Sequence, residues 1–199
     1  RAMGEDTLTR PDLTLPPDEA AALRAAYAEA DVVLEYGSGG STVLAADLGA
    51  EVWAVESDAG WAAMMQEWFA ANPGKGRAHI LHADIGETRK WGHPATIDGF
   101  KKWPDYALRV WDMADFRHPD VVLIDGRFRL GCFLTVAYRI NRPVTVYFDD
   151  YVPRAAYHQA EKTCKPSAII GRMARFDLVP TRLNPQSMRT YVRALLQPN

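Results

Sequence analysis

Apolar positions in this chain come in short blocks, and the blocks alternate between two spacings. Val32-Val33-Leu34, Val52-Trp53-Ala54-Val55 and Val121-Val122-Leu123-Ile124 are unbroken apolar runs too short for helices. Such runs suit strands of a parallel sheet covered on both faces. The pattern predicts strands at about 31–36, 51–56, 77–82, 120–125 and 144–149. Helical stretches fall between them. Pro16-Pro17-Asp18 opens one through Ala30, with Asp18 or a neighbour as its cap. Ser57 or Asp58 caps the next, and Asn72-Pro73-Gly74 stops it. Further helices are expected near 129–140 and 155–163, and the tail, 168–179 and 188–196 around Asn184-Pro185-Gln186, reads as an antiparallel hairpin. Strands alternating with helices require crossovers and parallel pairing, which is an α/β fold. No internal repeat or low-complexity tract interrupts the single domain, 1–199.

The first strand carries the most informative chemistry, Glu35-Tyr36-Gly37-Ser38-Gly39-Gly40-Ser41-Thr42. Glycines belong where the backbone turns sharply and a ligand lies against it with no Cβ in the way. The free amides of the helix that follows suit polar or anionic groups. The second strand ends in Glu56, where a carboxylate accepts hydrogen bonds from ribose hydroxyls. A dinucleotide fingerprint wants glycines at the first, third and sixth positions of the turn. Here the first and third are Gly37 and Gly39, but the sixth is Thr42, which disfavours an NAD(P)-type oxidoreductase. The acid two residues before the first glycine resembles motif I of the class I S-adenosylmethionine (SAM) methyltransferases, with Gly40-Ser41 in place of the usual x-Gly ending. The resemblance implies a Rossmann-like, doubly wound, mostly parallel sheet with helices on both faces and a C-terminal antiparallel strand. It also implies SAM as cofactor, with Glu35 at its amino-acid end and Gly37, Gly39, Gly40 and Ser41 along the methionine moiety. Asp84 would then stand near the adenine amino group, and Ile85 would pack on the adenine face.

Sheets of this kind bind ligands outside the carboxyl ends of their strands, and six acids end strands here: Glu35, Glu56, Asp84, Asp125, Asp149 and Asp150. The segments Ile124-Asp125-Gly126-Arg127 and Phe148-Asp149-Asp150-Tyr151 end adjacent strands. They resemble the metal site of the catechol and caffeoyl-CoA O-methyltransferases, matching at Asp125 and Asp149 with Asp150 where asparagine is usual. That resemblance implies Mg²⁺ or Mn²⁺ held by Asp125, Asp149 and Asp150, an assignment that hard carboxylate oxygens suit. Without metal, one of the three acts as catalytic base. Three carboxylates repel one another unless a cation stands between them. Arg127 is the favoured cation; Arg127 and Arg129 either pair with the aspartates or hold an acidic substrate. Arginine itself is no base.

The connection at about 86–118 interleaves aromatics, bases and prolines, in Arg89-Lys90-Trp91-Gly92-His93-Pro94 and again in Phe100-Lys101-Lys102-Trp103-Pro104. Long connections are often lids or substrate loops. The competing expectation is that its aromatics seal the insertion onto the sheet or pack a homodimer contact. Trp91, His93, Arg127 and Tyr151 are the candidates for the acceptor's side. A formal net charge of -2 provides no basic field for nucleic acid. No apolar run reaches the roughly 18 residues of a membrane helix, and no secretory leader is visible. Two cysteines, Cys132 and Cys164, make neither a disulfide framework nor a zinc site, which fits a reducing cytoplasm. The expected function is SAM-dependent O-methylation of a small molecule. The alternatives are a nucleotide-cofactor oxidoreductase and a non-catalytic SAM-fold binding protein.

Overall fold

The apolar runs become the central strands of one sheet. The computed structural model describes residues 9–199. Its main strands are β1 (Val32–Tyr36), β2 (Glu51–Glu56), β3 (Arg77–His82), β4 (Val121–Ile124), β5 (Val144–Phe148), β6 (Ala168–Ile170) and β7 (Met173–Leu178). They lie in the order β3-β2-β1-β4-β5-β7-β6. The first five are parallel; β7 runs antiparallel to β5, with Val146 opposite Phe176, and β6 is antiparallel to β7. The helices are α1 (Pro17–Glu29), α2 (Gly40–Leu48), α3 (Ala59–Ala71), α4 (Pro104–Leu108), α5 (Arg129–Arg139) and α6 (Pro185–Leu195).

Side chains alternate across each strand, so neighbouring apolar residues serve opposite cores. Val33 and Val52 pack with Leu23 and Tyr27 of α1 and Leu44 of α2. Leu34, Val122 and Ile124 face the other way, toward Tyr106 of α4, Phe133 of α5 and Leu195 of α6. Unbroken apolar runs are the consequence, because both faces are covered. Each such Val or Leu gains roughly 1.5–3 kcal/mol from full burial. Among the described residues no helix is long and apolar enough to cross a membrane.

The tail differs from the expected hairpin of 168–179 with 188–196. The hairpin is β6–β7, turned at Gly171-Arg172, and 185–195 is helical. Asn184-Pro185 is a helix start rather than a turn. The Asn184 side chain accepts from Ser187 N, and Pro185 sits in the first helical turn, where its missing N–H costs nothing. Helix α1 also starts differently. Pro16 holds the cap position without a side-chain hydrogen bond, and Asp18 stands in the first turn. Asp58 caps α3 as expected, accepting from Trp61 N at 2.8 Å.

The 86–118 connection divides in two. Trp103, Tyr106, Ala107 and Val110 are buried in the core shared with α5. This half is the crossover between β3 and β4, and α4 is its helix. The first half holds a two-residue ladder, Thr88–Arg89 against His93–Pro94, and projects the exposed Trp91.

Candidate cofactor and acceptor site

Strand order reverses between β1 and β4, and at this switch point the carboxyl ends of the strands splay apart around a crevice. A cavity of about 950 Å³ opens there. That volume is at the upper end of ligand pockets, roughly 300–1,000 Å³. Gly37 to Ser41, Glu56, Asp125, Arg127, Asp149 and Asp150 all line it.

The glycine turn is built for close approach. Gly37 has φ +107, and a Cβ there would come within 3.1 Å of Gly126 N. At Gly39 a Cβ would meet nothing within 4 Å, so this backbone edge is open to a ligand. Gly40 is required for another reason. The segment Asp12–Leu15 crosses the start of α2, and a Cβ on Gly40 would lie 2.3 Å from the Asp12 backbone. That strap lines the cavity and was not anticipated from the sequence.

Glu56 is only 8 % exposed and held by four donors. Its Oε1 accepts from Ser57 N and Asp58 N at 2.8 and 2.9 Å, and its Oε2 from Ser38 N and Oγ at 3.2 and 3.0 Å. The Ser38 hydroxyl is a rotatable partner that a ribose hydroxyl can replace. The glycine cradle and this carboxylate fit an adenosine cofactor. Trp61, whose Nε1 donates to Ser38 O at 2.9 Å, and Trp91, 75 % exposed, add two aromatic walls.

Three expected cofactor residues lie elsewhere. Glu35 is fully buried beneath the turn and does not line the cavity. It accepts from Tyr27 Oη at 2.7 Å and from Thr42 Oγ1, so it fastens α1 and α2 to the strand. Burial pushes its carboxyl up to about 7, against the pull of Thr42, Tyr27 and Ser41. Asp84 is exposed and paired with Lys102 Nζ at 2.5 Å, and Ile85 is 1 % exposed in the core beside Trp103. The reason is the insertion. Trp103 Nε1 donates to Ile85 O, so residues around 85 are tied inward rather than toward the crevice.

Asp125, Asp149 and Asp150 converge as expected, but their partners are guanidinium groups. Arg172 Nε and Nη2 grip Asp149 at 2.9 and 2.8 Å and reach Asp150 at 3.3 Å. Arg129 reaches Asp125 at 3.2 Å and Asp150 at 3.4 Å, and also donates to the carbonyls of Gly126 and Asp149. Arg127, the expected counter-ion, pairs with none of them. Its neighbour two positions on, at the start of α5, and a residue from the distant β6–β7 turn take that role instead. With two guanidiniums already shared among the carboxylates, the donor set does not fit a divalent metal. Among the described residues no group of three or more His, Cys, Asp or Glu could hold one. Arg172 had no sequence signal while the tail hairpin was placed elsewhere.

The environments separate the acids. Asp149 is 1 % exposed; burial raises its carboxyl, but Arg172 outweighs that and holds it below the usual carboxylate range. Asp125 is 36 % open at its side chain. Burial of its remaining faces pushes its carboxyl up to about 7; Arg129 pulls down, and Asp149 and Asp150 push further up. Carboxylates driven apart in this way mark acid–base roles.

Tyr106 of the insertion completes the floor. Its Oη accepts from Arg127 N at 3.2 Å, and a Cβ on Gly126 would lie 2.0 Å from it. Two expected acceptor residues are structural. Tyr151 is 2 % exposed and donates to Glu161 at 2.9 Å; His93 bridges the Pro94 carbonyl and Asn199. His158 lies against the Tyr151 carbonyl.

A parallel sheet closed by an antiparallel seventh strand, with a glycine turn and a buried acid ending β2, defines a SAM-methyltransferase-type domain. A methyltransferase-like protein from Silicibacter pomeroyi is 51% identical, with a TM-score of 0.92 over 95% of this chain and 99% of that one. The chain belongs to this class I SAM-dependent methyltransferase-like family. Two more distant structures share the fold. A 16S rRNA methyltransferase of T. thermophilus, solved with AdoMet and guanosine, is 16% identical at TM-score 0.51, over 84% of this chain and 44% of that one. A methyltransferase from Geobacter sulfurreducens is 10% identical at TM-score 0.54, over 82% and 81%. No protein-family model and no curated protein matches the chain.

Proposed function

We propose that this protein methylates an oxygen of a small molecule, with Asp125 as base. One observation carries the reading: the Asp125 carboxyl opens on the cavity at the end of β4, beside the glycine turn, where its surroundings raise its proton affinity. SAM, when bound, supplies an activated methyl on sulfur. Gly37 and Gly39 would take its methionine part, and Glu56 its ribose. Asp125 would accept the proton of the acceptor hydroxyl, which leaves that oxygen the nucleophile for the methyl group. A base near the working pH removes a proton most efficiently. Arg129 and Arg172 would hold the neighbouring acids in register, and Arg172 would keep Asp149 ionised. No metal enters this scheme.

A small acceptor is favoured over nucleic acid because the chain has a net charge of -2. Isothermal titration tests the cofactor half. S-adenosylhomocysteine should bind and NADH should not; the reverse result sinks the reading. Glu56→Ala should weaken S-adenosylhomocysteine by roughly 1–3 kcal/mol. The chemical half is tested on a panel of hydroxylated small molecules, with S-adenosylhomocysteine release as readout. Asp125→Asn should lower the rate about 100-fold or more with cofactor affinity kept. The wild-type rate should rise with pH through about 7 as the base ionises.

A further inference from the structure

Arg127 is the cavity cation that no carboxylate answers. Among the described residues, Arg129 and Arg172 each pair with two aspartates, and Arg154 reaches Asp150 at 3.4 Å, but Arg127 forms no ion pair. Its Nε is buried without a hydrogen-bond partner. Its backbone is pinned at the same time. The N–H donates to Tyr106 Oη, and the carbonyl accepts from Cys132 Sγ at 3.4 Å. The next residue, Phe128, is fully buried in a left-handed conformation with φ 52, so the turn that presents Arg127 is fixed by the core.

Arg127 is half-buried, and its Nε, shielded from water without an acceptor, costs free energy unless a ligand oxygen meets it. Burial and the like charges of Arg129 and Arg154 both lower its proton affinity, yet a guanidinium stays charged. The missing partner is therefore a ligand's. Its location says which part of the ligand. Arg127 is two residues past Asp125 and follows Gly126, which packs on the Gly37 backbone, so it stands between the glycine turn and the aspartates that end β4 and β5. The other guanidiniums there, Arg129 and Arg172, are already taken by the aspartates. A planar fork of donors matches a carboxylate or phosphate.

We propose that Arg127 binds an anionic group, carboxylate or phosphate, on the methyl acceptor, so that the acceptor is a small acid anchored there with its hydroxyl at Asp125. Arg154 is the auxiliary cation, with Nη1 on Tyr157 Oη at 3.2 Å and a single long contact to Asp150. This inference rests on the acceptor site proposed above.

Thermal shift of the S-adenosylhomocysteine-saturated protein provides the test, with sodium benzoate, sodium phosphate and neutral benzyl alcohol at matched ionic strength. Benzoate or phosphate should raise the melting temperature by several degrees, and benzyl alcohol should not; which anion acts separates a carboxylate from a phosphate acceptor. Arg127→Gln should abolish the shift, while Arg127→Lys, which keeps the charge without the fork, should retain part of it. No anion response in the wild type, or a response kept in Arg127→Gln, overturns the proposal. The cofactor's own carboxylate is the rival source. If Arg127→Gln weakens S-adenosylhomocysteine tenfold but leaves 5′-methylthioadenosine unchanged, Arg127 serves the cofactor and the proposal is overturned. Should the wild type bind no S-adenosylhomocysteine, the methyl-transfer reading falls. A benzoate shift of the free protein, lost in Arg127→Gln, would then still establish the anion site.

Discussion

Glu35 sits where a cofactor ligand was expected and works as a fastener. Its two oxygens are taken by Tyr27 of α1 and Thr42 of α2, at zero exposure. It therefore bears on stability. The folded carboxyl is pushed from 4.5 to about 7. A group whose folded pKa is raised contributes stability that is present below its unfolded pKa and lost as pH rises through its folded one. Between about pH 4.5 and 7 the folded protein holds a proton that the unfolded chain releases, so stability falls across that window. Glu35→Gln should remove this component. Its melting temperature should decline less than the wild type's from pH 5 to pH 8, with Asp125 contributing the same slope to both proteins. Parallel curves for the two proteins would sink the assignment.

At the scale of elements, the hairpin β6–β7 delivers a side chain that strands β4 and β5 cannot supply. Its turn carries Arg172 across to Asp149, a carboxylate only 1 % exposed. Removing one partner of a buried pair usually costs about 3–5 kcal/mol. Arg172 itself is 40 % exposed, so Arg172→Ala should cost less, about 2–3 kcal/mol. At 199 residues that is a fall of roughly 2–4 °C per kcal/mol, and millimolar Mg²⁺ should not restore it. Arg127→Ala, which breaks no ion pair and removes an unpartnered buried Nε, should not lower the melting temperature. Equal losses in the two variants would contradict the division of labour between these arginines. Helix α6 secures the same side of the sheet from below. Tyr191 Oη meets Thr135 Oγ1 of α5 at 2.9 Å in a buried contact.

On the scale of the whole molecule, the crevice is walled by two segments outside the sheet, the strap Asp12–Leu15 and the Trp91–Gly92 turn. Ser57 Oγ donates to Gly92 O at 2.8 Å, so this turn is hooked directly to the end of β2. Trp91 holds φ 65, a conformation rare for a bulky residue, at the cavity rim. The lid expected of the whole 86–118 connection is thus left to 86–99, since 103–110 is packed on α5. Hydrogen exchange should reveal the boundary. Amides of 86–99 should slow when S-adenosylhomocysteine binds, and those of 103–110 should be protected with or without it. Strong protection of both in the free protein would make the first half a fixed wall.

The sequence by itself determined the sheet, because unbroken apolar runs have one stable home, between two helical layers. The glycine turn and Glu56 were legible for a related reason: their chemistry acts through local backbone, and a few consecutive residues encode it. The three aspartates were also legible, since each ends a strand whose place in the sheet follows from the same runs. What neutralises them was not. Arg172 arrives from a turn 23 residues beyond Asp149, and Arg129 rather than Arg127 meets Asp125, because the left-handed residue Phe128 redirects the chain between them. The tail misled for want of context, since Asn-Pro starts a helix as readily as it makes a turn, and only packing against α5 selects the helix. The paired arginines, the inward-tied Ile85 and the unanswered charge of Arg127 depend on which side chains meet across the fold. Ion pairing and burial are set by distances between segments remote in sequence, and only the tertiary structure supplies those.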